Sequence, residues 1–144
     1  TYYDKTLPGL NKIVSSIKQR NPNTKLVFFM TWAYKKGYAK YGYSNTHYKM
    51  IRRISAKYKL LATDFDALLS PVGLVFEKLY FKHHIKTLYK PDNSHPSKLG
   101  SYAAACSFYS VIFKERVSHT PQAYLKIKKH NVIESLVWNY TRTK

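Results

Sequence analysis

The segment from Ser97 to Glu115 constrains this chain more than any other. It predicts a helix over 97–115 that is apolar almost all the way round, with Ala103–Cys106 as its densest run. A helix without a polar side must be covered on both flanks, so further elements have to pack against it. That run and Leu26–Met30 are the longest apolar stretches, far short of the ~20 residues a membrane span needs. No transmembrane segment is predicted, and the chain reads as soluble.

The remaining chain supplies those elements. Leu7, Leu10, Val14 and Ile17 follow helical spacing and predict a helix over 5–20, ended by Asn21-Pro22-Asn23. Lys25–Thr31 reads as a buried central strand, followed by a Gly- and Tyr-rich loop from Ala33 to Asn45. Met50, Ile51, Ile54, Tyr58 and Leu61 mark a helix over about 46–60. Asp66–Leu69 predicts a second strand, stopped by Ser70-Pro71-Val72-Gly73. A short helix over 74–84 and an ordered loop over 85–97 lead into the apolar helix. Thr120-Pro121 forms an N-cap and N1 pair opening a last helical region to about Tyr140. The alternation of helix and strand predicts a layered α/β fold with a parallel sheet. At 144 residues the chain makes one domain able to bury roughly 68–70% of its unfolded surface. Residues 1–116 form its body, and 117–144 a C-terminal helical extension.

The formal charge is +18, from 25 Lys and Arg against 7 Asp and Glu. Such a surface attracts anionic polymers through long-range electrostatics. Only 5 of those cations are Arg, the residue suited to bidentate phosphate contacts, and the lysines are dispersed apart from Lys35-Lys36 and Lys126–Lys129. A solvated lysine coat is therefore favoured over a dedicated nucleic-acid site. Tyr34, Tyr38, Tyr41 and Tyr43 interleave with Lys35, Lys36 and Lys40, a pattern that suits stacking on sugars or bases but reads first as a solvated, mobile loop. The lone Cys106 reads as a buried small hydrophobe. Nothing at the N-terminus resembles a signal peptide and the chain does not begin with Met, which suits a processed product or a fragment and leaves the compartment open.

Chemistry concentrates in Pro91-Asp92-Asn93-Ser94-His95-Pro96, directly before the apolar helix. An imidazole titrates near neutrality and can take a proton from a hydroxyl, and a carboxylate three residues away can orient it. Pro91 and Pro96 stiffen the turn on both sides. The plainer reading is a local turn in which Asp92 caps the backbone. His83-His84 with Asp92 and His95 could in principle hold a metal. Adjacent histidines rarely face one ion, so no metal and no cofactor is assigned. Gly42-Tyr43-Ser44 is the only Gly-x-Ser triplet, in the wrong loop for a nucleophile, and Ser44 is not assigned as catalytic.

Asp92-x-x-His95 followed by Pro-Ser-x-x-Gly-Ser-Tyr and Ala-Ala-Cys-x-Phe-Tyr resembles the C-terminal block of SGNH/GDSL-type hydrolases. Phe29-Met30-Thr31-Trp32 at a strand end, and Tyr48-Lys49-Met50 leading to Ser70-Pro71-Val72-Gly73, extend the resemblance from about Leu7 to Phe113. The resemblance implies a three-layer α/β/α sandwich of flavodoxin-like type that hydrolyses acyl esters, carbohydrate-linked ones among them. By the same resemblance His95 is the general base and Asp92 the residue that orients it. The family's Gly-Asp-Ser-like block and the Gly and Asn oxyanion blocks precede these segments and have no counterpart here, so the chain reads as an N-terminally incomplete SGNH domain. Trp32, at the carboxyl end of a strand, is a candidate for lining the substrate cleft, with a core edge as the equal alternative. A second function class remains: a catalytically inactive basic module that binds an anionic polymer, polysaccharide or nucleic acid. The sequence leaves the oligomeric state open.

Overall fold

The computed structural model describes residues 2–118 and 129–142. Helix α1 (Tyr2–Arg20) presents the stripe of Leu7, Leu10, Val14 and Ile17 to the protein, but all four stay half-buried, and Ile13 beside them is exposed. Strand β1 (Val27–Phe29) is followed by a long loop and by α2 (His47–Asp64), which opens on a Thr46 cap whose Oγ1 accepts from the Lys49 amide at 3.2 Å. Strand β2 (Leu68–Ser70) runs directly into α3 (Val72–Glu77). The next turn, Lys78–Lys82, widens to π geometry. After a 3₁₀ turn at Lys86–Leu88 come α4 (Lys98–Phe113) and α5 (His130–Thr141).

The two strands are parallel, with Val27 opposite Leu68, Phe28 opposite Leu69 and Phe29 opposite Ser70. Two parallel neighbours require a crossover, and α2 provides it. The chain is thus mixed α/β with a two-stranded parallel sheet among the described residues. The expectation of a buried central strand at Lys25–Thr31 needs correction. Among the described residues β1 pairs on one side only, and Phe29 is 39% exposed. The apolar run is the same whether one edge is paired or two, so the sequence overstates its burial.

The core lies between α3, α4 and α5, where Val75, Phe76, Leu79, Leu88, Ala103, Ile133 and Val137 are all buried. Two glycines permit the closest approaches. A Cβ on Gly73 would stand 2.2 Å from the Thr31 carbonyl oxygen, and one on Gly100 would stand 2.3 Å from that of Leu88. The apolar helix is α4, covered by α3 and β2 on one flank and α5 on another. Its cover is incomplete, since Tyr109, Ile112 and Phe113 toward its end are exposed. Thr120-Pro121 and Lys126–Lys128 lie outside the described residues. The helix that follows is described from His130 onward, with Ile133 and Val137 in the core. No helix among the described residues is long and apolar enough to cross a membrane.

Candidate functional site

The Asp92–His95 turn is built from its own sequence. Asp92 Oδ1 accepts from the amides of Ser94 and His95, each at 2.9 Å, closing a tight turn around Asn93, whose φ of 59° is the left-handed region that Asn tolerates. The second carboxylate oxygen, Oδ2, lies 2.7 Å from His95 Nδ1. These amides, followed by the imidazole, hold the Asp92 carboxyl down at about 2 against an ordinary 3.8. With Asp92 ionised, Nδ1 is the protonated ring nitrogen and Nε2 carries the lone pair. The side chains are 71% (His95) and 46% (Asp92) exposed, so Nε2 is reachable from outside the turn.

Distant segments hold the turn in place. The Lys90 amide donates to the His95 carbonyl at 2.8 Å, and Tyr89 bridges Pro96 in antiparallel fashion. The Ser97 amide donates to Leu88 O at 2.9 Å, while Ser97 Oγ caps α4 by accepting from Gly100 N at 3.2 Å. From the β1 side, the Lys35 amide donates to Asn93 O at 2.9 Å and the Trp32 indole N–H donates to Ser94 O at 2.8 Å. Trp32 is half-buried, stacked on Phe76 with 5.1 Å between centroids and 15° between planes. The structure therefore gives Trp32 a positioning contact with the turn that sequence reading did not foresee. Such a bond joins residues 62 apart, and no local pattern announces it.

A hydroxyl nucleophile is not brought to His95. Among the described residues its recorded side-chain partner is Asp92. Ser70 at the end of β2 and Ser107 of α4 pair with each other at 3.1 Å, both fully buried. Ser44 is also buried, in the 3₁₀ turn of the tyrosine loop. No group of three His, Cys, Asp or Glu side chains among the described residues is placed to hold a metal ion. Cys106 is buried, and burial pushes its thiol up to about 11, the behaviour of an unreactive core cysteine.

The tyrosine loop is solvated, as expected, but its rings meet one another. Tyr34, Tyr38, Tyr41 and Tyr43 form a continuous chain of ring contacts, centroids 5.1 to 5.8 Å apart, ending with the Arg53 guanidinium 4.3 Å over Tyr43. The loop hands its backbone to both neighbours. Lys35 bonds the Asn93 carbonyl as above, and Tyr34 O lies 3.1 Å from Nδ1 of His47. His47, the first residue of α2, belongs to no motif and was missed. It is 7% exposed, its Nδ1 is the donor to a carbonyl, and its Nε2 has no partner among the described groups. Leaving such a buried acceptor unpaired costs about 1–3 kcal/mol. Burial lowers the His47 pKa, keeping the ring neutral.

No family model matches this chain, and no curated protein and no solved structure is significantly similar to it.

Proposed function

We propose that this chain provides the acid–base arm of an SGNH-type acyl-ester hydrolase, with His95 as general base and Asp92 as its orienting carboxylate. The observation that carries the reading is the 2.7 Å contact between Asp92 Oδ2 and His95 Nδ1, which orients an exposed imidazole. In this reading a serine hydroxyl attacks the ester carbonyl and passes its proton to His95 Nε2. The imidazolium formed is stabilised by Asp92 and gives that proton to the departing alkoxide. Water then repeats the cycle on the acyl-enzyme, releasing the acid. The reading requires a serine and oxyanion donors in addition to the groups that the described residues bring to His95. The half-covered stripe of α1 and the open edge of β1 support a larger sheet, that of a three-layer α/β/α sandwich. In this reading Trp32, half-buried against the core and bonded to the turn through its indole, is the residue expected to line the substrate cleft. The natural substrate class is an acyl ester, carbohydrate-linked in the favoured case.

The test begins with the intact mass and N-terminal peptide of the naturally expressed product. A longer product carrying a Gly-Asp-Ser-like block is then assayed on acyl esters and with a serine-directed fluorophosphonate. His95→Ala lowers kcat/KM by roughly 10³-fold or more and blocks labelling. Turnover unaffected by His95→Ala sinks the assignment, and so does a natural product that lacks the serine.

A second reading rests on the contiguous tyrosine rings beside Arg53 and Lys35, together with the +18 charge. There the chain is a binding module for an anionic polymer. Affinity for such a polymer that does not fall between low and moderate salt contradicts it.

A further inference from the structure

An open cleft of about 420 Å³ lies between the start of α2 and the π turn after α3, lined by His47, Tyr48, Glu77, Lys78, Phe81 and Lys82. Its size is that of a small-ligand pocket. His47 stands in its wall with Nδ1 bonded to Tyr34 O and with the Nε2 lone pair unpartnered. The Phe81 ring packs edge-on against the imidazole at 5.1 Å and is itself half exposed. Nε2 is itself buried, so a ligand reaches it only if the exposed Phe81 side chain turns aside. The wider π turn that carries Phe81 is the kind of irregularity that often accompanies a site.

We propose that this cleft binds an acidic sugar residue, a uronate carried on an oligosaccharide. A neutral imidazole nitrogen accepts a hydrogen bond and so selects a hydroxyl donor. Glu77 is a second acceptor suited to a hydroxyl, so two of the lining groups favour a hydroxyl-rich ligand. The exposed rings of Tyr48 and Phe81 offer the apolar face against which a pyranose packs. Lys82, exposed at the rim, supplies the cation for one carboxylate. Lys78 is partly engaged, its ammonium 5.2 Å over the Tyr140 ring, and serves as a secondary cation. Tyr48 is braced from outside by Arg52, whose Nη1 donates to its hydroxyl at 2.9 Å. The cleft requires neither the nucleophile nor the Asp92–His95 pair, so this inference stands or falls separately from the hydrolase reading. It also differs from the diffuse lysine coat in having a stated location.

The experiment uses the 144-residue chain at about 150 mM salt, where contacts to dispersed surface lysines are largely screened. The probes are a tetragalacturonate, its carboxyl-reduced neutral counterpart, and a single-stranded oligonucleotide of equal charge. The readouts are calorimetry and the ring-nitrogen NMR signals of His47. The tetragalacturonate is expected to bind saturably and to move the His47 Nε2 signal, and the neutral sugar to bind about tenfold more weakly, as expected for loss of a charge-assisted hydrogen bond. Lys82→Gln, at an exposed position, removes that tenfold difference between the two sugars, and Phe81→Ala weakens both. Equal binding of the two sugars by the unaltered chain overturns the proposal, as does an unmoved His47 signal. Tighter binding of the oligonucleotide, or no binding of the uronate at millimolar concentration, overturns it as well.

Discussion

Gly100→Ala isolates the packing that carries the Asp92–His95 turn, and its effect is set by two opposed magnitudes. Alanine within a helix is favoured over glycine by about 1 kcal/mol. Against this, the new Cβ would stand 2.3 Å from Leu88 O, 3.0 Å from Phe76 Cζ and 3.1 Å from Pro96 Cβ. The Leu88 oxygen cannot simply retreat, because it accepts the Ser97 amide at 2.9 Å and so ties the turn to the start of α4. Overpacking of this kind costs about 1–3 kcal/mol, and contact with a backbone atom puts it at the upper end. A net loss of about 2 kcal/mol follows, a fall in Tm of roughly 6–10 °C for a domain of this size. Gly9 provides the matched control, since it is exposed in α1 and a Cβ there meets nothing within 4 Å. Gly9→Ala should raise Tm by roughly 3–5 °C, the helix-propensity gain alone. Calorimetry gives the two Tm values, and amide spectra of residues 92–97 report on the turn. If both substitutions raise Tm and the turn's amide signals stay in place, the close approach of α4 to Leu88 is wrong.

Two further outcomes depend on pH. The Asp92 carboxyl, held at about 2 by the Ser94 and His95 amides and the His95 ring, is lowered, so its contribution to the turn is full above the ordinary 3.8 and lost as pH falls toward 2. The Ser94 and His95 amide shifts should titrate with a midpoint near 2, and a midpoint near 4 refutes the bonding assigned to Oδ1. His47 is a base whose folded pKa is lowered, so below the ordinary 6.5 the unfolded chain binds the proton first. Stability therefore declines as pH falls from 7 through that window, and His47→Gln should show a shallower decline in urea midpoint between pH 7 and pH 5. Identical slopes in the two proteins contradict a neutral, desolvated imidazole.

What could be read from the sequence was local. Asp92 and His95 sit three residues apart inside a proline-bounded turn, so the contact between them follows from spacing. The helices expected from about 46 and 97 begin there, and the structure supplies the reason in the Thr46 and Ser97 hydroxyls, which accept from amides three residues on. Long-range features were not legible. Trp32 meets Ser94 across 62 positions, and His47 meets Tyr34 across 13, each through a backbone carbonyl that carries no sequence signature. The cleft wall at Glu77–Lys82 comes from a turn whose π geometry has no composition mark. The burial of Lys25–Thr31 was overread because apolar character records that a strand is packed, not how many edges are paired.

The turn-stabilising and catalytic readings of Asp92 separate on how its two oxygens are used. A capping aspartate needs one oxygen for the amides that follow it, and Oδ1 fulfils that role with Ser94 and His95. Oδ2 is then free to meet solvent, which at nearly half exposure would satisfy it at no conformational expense. Instead it bonds the imidazole, a contact whose exposed position brings little stability. Meanwhile the backbone of the same turn is fastened from three directions, by Lys90, by Lys35 and by the Trp32 indole, each bonding a backbone carbonyl. Bonds that fix the backbone while leaving the imidazole exposed are what the proposed acid–base role requires. That division of labour is why the acid–base reading is preferred for a turn whose sequence alone would also suit a simple cap.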